Sequence, residues 1–367
     1  MPKKIRILII GPQPPSVGGI ASYIRDFTYN VKNIYNYRTL FITISIIKSM
    51  SIKALCFKIY SILFNILKII SFSIKHSYDI THIHTSSKFS FIENSVYIFF
   101  LKAFSRRPVV LHIHAPDFDS FLSNSNCIRF ALIKHTLNSC DSIIVLSSYW
   151  KEIISEVTSE HKSIFIVPNA ADVSSLEETK MASRKRLNLP ENTKILFSVG
   201  NLEERKGYSY LIEAMSIVCN EREDVCCIIG GNGSVKPSLE LKVSDLNLDN
   251  HIKFIGFIPD EMIKFWFNAC DIFVLPSLAE GSPIVMFETL NFGKPFVGTT
   301  VGGIPEIITS EDYGLLVKPR DSKDLSQKIL YALDKEWDRE LIISYSRQFN
   351  WANICKRVIE DVYLKLV

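Results

Sequence analysis

No acidic residue occurs between Asp26 and Asp79. Residues 1–110 carry 15 Lys and Arg against 3 Asp and Glu, a net of +12, so the remainder of this +4 chain carries −8. An asymmetry of this kind points to an anionic partner for the N-terminal part, either lipid or nucleic acid. The eight cysteines include no C-x-x-C pair. That argues against a disulfide framework or a zinc site, and the cysteines read as reduced thiols of a cytosolic protein. No signal peptide is expected, because residues 1–6 lead straight into an apolar run. No internal repeat is evident. A G-x-G-x-x-G fingerprint is missing, and no acidic residue closes a strand about twenty residues after the first glycine-rich loop, so NAD binding is not expected.

What is present is apolar: 47% of 367 residues, enough for two well-buried domains. Ile5 to Ile10 is a short apolar run that enters a glycine-rich loop ending in Gly18-Gly19, and a helical pattern follows from Ile20 to about Tyr29. The Gly pair either lets the backbone approach a ligand closely or only makes a turn. Strand-like runs recur at Ile80–His84, Val109–His114, Ser142–Leu146 and Ser163–Val167, with helical spacers between them. A second series follows at Lys194–Val199, Val225–Ile229, Ile252–Ile255, Ile272–Leu275 and Phe296–Val297. Alternation of this kind predicts an α/β fold with parallel sheets, two Rossmann-like domains in tandem. The polar stretch Ser174–Arg186 bridges them. The expected divisions are 1–172, 173–348 and a returning helix at 349–367.

Residues 51–75 read as an amphipathic helix. Lys53, Lys58, Ser61, Asn65, Lys68, Ser71 and Lys75 share one face; Leu55, Ile59, Ile62, Leu63, Ile66, Ile69 and Ile70 share the other. Only nine uncharged residues separate Lys58 from Lys68, too few to span a bilayer. The pattern fits a helix lying on an anionic membrane surface, or one packed on its own sheet with a solvated lysine edge.

Candidate chemistry concentrates between Asp271 and Glu306. An apolar strand runs into a Pro-Ser turn. Glu280 and Glu288 follow, eight positions apart, around the bend Gly281-Ser282-Pro283, and Ile284–Leu290 reads as a helix. Its free N-terminal N–H groups offer a phosphate site, which the two carboxylates would flank as acceptors for hydroxyls. Two Glu at this spacing also arise on ordinary surface helices. His82 and His84, and His112 and His114, form two H-x-H pairs whose members point the same way on a strand. Such pairs can begin a metal site, but hydrolases of that type need His and Asp ligands on later strands, and none is convincingly placed here. Asp117-Phe-Asp119 imitates a D-x-D metal motif, and in its context reads as polar residues on the acceptor side.

Taken in order, several segments resemble the retaining glycosyltransferases of family four. They are the Gly18-Gly19 loop, VVLHIHAPDF, IVPNAAD, SVGNLEERKG, GGNG, GFIPDEMIKFWFNACDIFVLPS, the E-x7-E segment, GGIPEII and GLLVKPRD. The resemblance spans nearly the whole chain. It implies a GT-B fold, with two Rossmann-like domains facing a cleft and a C-terminal helix from about Trp351 to Leu366 crossing back to the first. It also implies a nucleotide-sugar on the C-terminal domain and an acceptor on the N-terminal one.

Carried over residue by residue, it assigns Lys206, with Arg205 beside it, to the donor diphosphate, and Glu288 to the ribose. Glu280 takes the sugar hydroxyls, His114 lies against the transferred sugar, and backbone around Ser282–Val285 (Pro283 and Ile284 included) takes phosphate or sugar oxygens. Asn201 stands where the family usually has Arg, and Arg205 is its potential substitute. These cations would do what a metal does elsewhere, so no metal or cofactor is expected. The EGSP form of the loop favours a UDP-sugar. The basic helix favours a lipid-linked or saccharide acceptor, cell-surface polysaccharide synthesis, and a cytoplasmic location peripheral to the inner membrane face, with no nucleic acid. The alternatives are a nucleotide-sugar 2-epimerase of the same architecture and a non-catalytic membrane or nucleic-acid binding module.

Overall fold

The computed structural model describes residues 5–13, 18–35, 37–44, 52–75, 77–172 and 177–367. Residues 1–4, 14–17 of the glycine-rich loop, Ser51, His76 and the start of the polar bridge at Ser174 lie outside them. The chain divides into two compact units, Met1–Ala170 with Trp351–Val367, and Ala171–Asn350.

The first unit contains six strands: β1 (Arg6–Gly11), β2 (Arg38–Thr43), β3 (Ile80–Thr85), β4 (Val109–Ile113), β5 (Ser142–Val145) and β6 (Ile164–Ile166). All pair in parallel, in the order β2-β1-β3-β4-β5-β6. Alternate residues serve opposite faces, as the period of a strand requires. Leu8, Ile10, Ile83 and Leu111 join one core, while Ile7, Ile9, Ile80 and Val110 join the other. The second face is covered by α1 (Gly19–Tyr35) and by the C-terminal tail through Trp351, Ile354, Val358, Val362 and Tyr363. Helix α1 runs six residues beyond its expected end because Phe27 and Val31 continue the buried stripe.

The second unit repeats the design with β7 (Lys194–Val199), β8 (Val225–Gly230), β9 (Ile252–Gly256), β10 (Ile272–Leu275), β11 (Phe296–Thr299) and β12 (Gly314–Val317). The sheet order is β12-β11-β10-β7-β8-β9, again parallel throughout. The sequence reading missed β2 and β12 as strands. Both are edge strands, paired on one side only, and neither carries the long apolar run of a central strand.

One expectation is overturned. The polar face of helix α2 (Ile52–Ile74) is not turned outward as a whole: Lys53 is exposed near its start, whereas Lys58 and Asn65 point inward. Lys58 is buried and pairs with Glu93, itself buried on α3 (Lys88–Phe104), at 2.7 Å. Asn65, also buried, donates to the Tyr97 hydroxyl at 3.1 Å and to the Thr43 carbonyl at 3.3 Å. The Tyr97 hydroxyl in turn donates to Glu93 Oε1 at 2.7 Å. The helix buries Lys58, Asn65, Ile66, Ile69 and Ser73, and exposes Phe57, Ile59, Tyr60, Leu63, Phe64, Leu67 and Ile74, each between 46% and 68%.

The polar groups go inward because α3 supplies partners that compensate their desolvation. By length and composition alone Cys56–Ile74 is apolar enough to cross a membrane, but Lys58 and Lys68 interrupt it and its inner stripe is packed on the first unit.

Candidate active site

Ligand loops in open α/β sheets gather at the C-terminal ends of strands, and the predicted residues follow that rule in each unit. In the second unit, β7 ends in a turn whose short 3-10 segment Glu204–Lys206 is closed by Gly207. Gly207 has φ +66°, and a Cβ there would lie 2.0 Å from the Pro276 carbonyl oxygen, so only glycine lets this turn meet the chain leaving β10. The Arg205 carbonyl accepts from Leu278 N at 2.7 Å, clipping the two loops together.

The close approach delivers Lys206 to Glu280. Lys206 Nζ donates to Glu280 Oε1 at 2.5 Å, and Ser277 Oγ donates to the same oxygen at 2.7 Å. The two ionic side chains are 12% and 7% exposed. Gly302, with φ +54°, lets a second loop press on this one: a Cβ there would lie 1.8 Å from the Glu280 carbonyl oxygen. Beside it, Gly303 N donates to the Gly281 carbonyl at 2.8 Å.

Gly281, Ser282 and Pro283 are buried, and Pro283 occupies the N-cap of the helix Ile284–Asn291, which has no side-chain cap. The first helical residues, Ile284 and Val285, are half-buried, as is Glu288 on the same helix. Arg205 points elsewhere: its Nε donates to Glu203 Oε2 at 3.0 Å in a partly exposed pair. Asn201 is exposed in the turn after β7.

In the first unit, Gly18 and Gly19 begin α1; both are exposed, and Gly18 has φ +145°. Among the described residues no atom lies within 4 Å of a Cβ built at either position. Three contacts hold His114. Its backbone N–H donates to the Thr85 carbonyl at 2.9 Å, its ring lies 5.0 Å from that of Tyr23 on α1, and its Nε2 is 3.0 Å from His84 Nδ1. Burial lowers its pKa to about 3. A lowered pKa favours the neutral imidazole, which can donate one hydrogen bond and accept another.

His82, His84 and His112 lie on the same sheet face, fully buried with Tyr23, Phe27 and Tyr363 around them. One ring nitrogen of each comes within 4.8 Å of the others, and among the described residues this trio is the group able to hold a metal ion. Protein groups already engage part of it: His82 Nδ1 lies 2.5 Å from the Tyr363 hydroxyl, and His84 Nδ1 bonds His114. Asp117 and Asp119 are also engaged, with Ser87 and Lys88, and with Tyr149, respectively. The eight cysteines are all free thiols.

Sequence reasoning missed Ser277, and it placed His84 in an H-x-H pair without linking it to His114. Ser277 had a signal, since it stands in the Pro-Ser turn just after β10, three residues before Glu280.

Two family models match successive stretches of the chain: Glycosyltransferase Family 4 over residues 47–175, and Glycosyl transferases group 1 over residues 179–349. The chain is 27% identical over 277 residues to an uncharacterized glycosyltransferase of Methanocaldococcus jannaschii, covering 72% of this chain and 70% of that one. It is 26% identical over 315 residues to the UDP-Gal:alpha-D-GlcNAc-diphosphoundecaprenol alpha-1,3-galactosyltransferase of Escherichia coli, covering 80% and 77%. A putative teichuronic acid biosynthesis glycosyltransferase of Bacillus subtilis is 29% identical over 238 residues; the chain spans 57% of its length.

Among solved structures, sucrose-phosphate synthase from Thermosynechococcus elongatus superposes with a TM-score of 0.80 at 19% identity over 99% of both chains. Anabaena HepE in complex with UDP and glucose gives 0.75 at 19% identity, over 98% of this chain and 100% of that one. The fold is GT-B. With the two matches taken together, the chain is a glycosyltransferase of the family-four type.

Proposed function

We propose that the protein is a retaining, metal-independent hexosyltransferase. In this reading it moves a sugar from a nucleotide-sugar, with a UDP-sugar favoured, to a saccharide or lipid-linked acceptor in cell-surface polysaccharide synthesis. The observation that carries this reading is the buried Lys206–Glu280–Ser277 constellation beside the uncapped N-terminus of the helix Ile284–Asn291. An ammonium has three N–H donors, and Glu280 engages one. The remaining donors, with the helix N–H groups and dipole, suit a diphosphate. Glu288 would take the ribose hydroxyls, Glu280 the sugar hydroxyls, and Arg205 the outer edge of the diphosphate. Gly18, Gly19 and His114 would meet the transferred sugar.

The bond from C1 of the sugar to the phosphate oxygen breaks, and the diphosphate leaves with the electron pair. Lys206 stabilises the charge that develops. The acceptor hydroxyl attacks from the face the diphosphate has left, giving its proton to a departing phosphate oxygen. No carboxylate need become covalently attached, which suits a Glu280 already committed to Lys206 and Ser277.

A lipid-linked acceptor is supported by the E. coli relative, whose acceptor is a diphosphoundecaprenol-linked GlcNAc, and by α2. The exposed apolar face of α2, with Lys53 and Lys75 exposed near its ends and Lys68 along it, suits insertion into the headgroup region of an anionic inner leaflet. The exposed Phe99 and Phe104 of α3 widen this surface. A cavity of about 280 Å³ lined by Ile92, Phe99, Leu132 and His135 lies beside it.

The donor is tested by thermal shift across UDP-, GDP- and ADP-sugars, because a ligand of the native state raises its stability. The expected result is stabilisation by a UDP-sugar and, on adding acceptor, transfer. Epimerisation of the donor without transfer would overturn the reading.

A further inference from the structure

We infer that His84 is a positioning residue: it donates from Nδ1 to Nε2 of His114 and so fixes the proton of His114 on Nδ1. This rests on the reading above, in which His114 meets the transferred sugar. The two rings are 3.0 Å apart at these nitrogens. Burial lowers both groups' pKa, that of His114 to about 3 and that of His84 well below the ordinary histidine value, so both are neutral. A bond between two neutral imidazoles needs one N–H and one lone pair, which leaves two possible arrangements.

The other nitrogen of His84 decides between them. His84 Nε2 is buried and has no hydrogen-bond partner among the described residues. If His84 accepted at Nδ1, its proton would sit on Nε2 as a buried, unbonded N–H, the kind of orphan that folded proteins rarely carry. If it donates from Nδ1, Nε2 holds only a lone pair, which is the less costly orphan. The proton between the rings therefore belongs to His84. His114 accepts at Nε2 and carries its own proton on Nδ1, and among the described residues no protein group bonds that Nδ1.

The His84 ring is held in place from several sides. Asn94 Nδ2 donates to the His84 carbonyl at 3.2 Å, the His82 ring lies 4.1 Å away, and Tyr23 lies 5.5 Å away. Gly11 matters here as well: a Cβ at that position would lie 3.2 Å from the His84 Cβ. His114 thus presents a fixed N–H donor, suited to an oxygen of the sugar rather than to a hydroxyl proton.

The test combines ring-nitrogen NMR of the full-length wild-type protein with two variants. In the wild type, the His114 nitrogen that carries the proton is expected to be Nδ1. His84→Asn keeps an amide N–H close to the position of Nδ1, and should retain the tautomer and kcat. His84→Phe removes the donor, and should release the tautomer and lower kcat about tenfold, as expected for one hydrogen bond, while UDP affinity stays unchanged. A wild-type His114 protonated on Nε2 would overturn the inference, as would a His84→Phe protein with its His114 tautomer and kcat intact. The NMR readout decides the tautomer even if no donor is turned over, an outcome that would instead refute the proposed function.

Discussion

Lys206 and Glu280, 74 positions apart, bond directly at 2.5 Å with little solvent access to either. The ammonium is thereby fixed in direction before any donor arrives, and the carboxylate balances its charge. Removing one member leaves the other as an uncompensated buried charge, which costs about 3–5 kcal/mol. Glu280→Ala and Lys206→Ala should each lower stability in urea titrations, and each should lose most transfer activity, on the order of 100-fold or more. Replacing both by apolar residues should recover stability without recovering activity. A double variant no more stable than the singles would show that the pair is not coupled.

The exposed face of α2 makes a second prediction. Leu63→Glu with Leu67→Glu should abolish co-sedimentation with anionic liposomes and leave the melting temperature nearly unchanged, because both side chains already meet solvent. By contrast, Lys58→Met should destabilise the first unit by about 3 kcal/mol, since it strands Glu93. Undiminished lipid binding by the Leu63/Leu67 variant would remove the membrane assignment from this face.

The histidine layer sets the pH dependence of stability. His82 and His114 are each held at about 3 by burial, and His84 and His112 are also shifted downward. Unfolded histidine titrates near about 6.5. Below that pH the unfolded chain gains protons that the folded chain refuses, so stability is full above about pH 7 and falls steadily toward pH 3. Each histidine adds up to about 1.4 kcal/mol per pH unit within that window. Denaturant titrations at pH 7.5 and 5 should show the loss, and His112→Phe should reduce it. The same loss in His112→Phe as in the wild type would contradict the assignment.

Gly302 supports the loop that carries Glu280. Gly302→Ala would put a side chain where φ is +54° and the Glu280 carbonyl is 1.8 Å away. The expected cost is about 2 kcal/mol, with weakened nucleotide binding as the loop shifts. Unaltered UDP affinity would mean that this loop does not shape the donor site.

Much of this was legible before the fold was known. Central strands such as β10 declare themselves by uninterrupted apolar runs, and Glu280, Lys206 and His114 stand out by their order along the chain. What the sequence hid were pairings between distant residues. Nothing in the periodicity of α2 says that Glu93 waits on the next helix, so Lys58 reads as solvated when it is buried. Likewise, two glycines with positive φ decide which loops touch: Gly207 brings the β7 loop against the β10 loop, and Gly302 brings the loop after β11 against it. A turn residue in a sequence does not name the carbonyl it must avoid.

The most direct test of the central claim is product analysis by NMR. A UDP-sugar is incubated with a diphosphate-linked lipid saccharide, wild-type protein and chelator, beside a parallel Lys206→Ala reaction. Acceptor-dependent UDP release and a new glycosidic bond with the donor's anomeric configuration are expected, both lost in the variant. An inverted product, or full activity in Lys206→Ala, would contradict that claim.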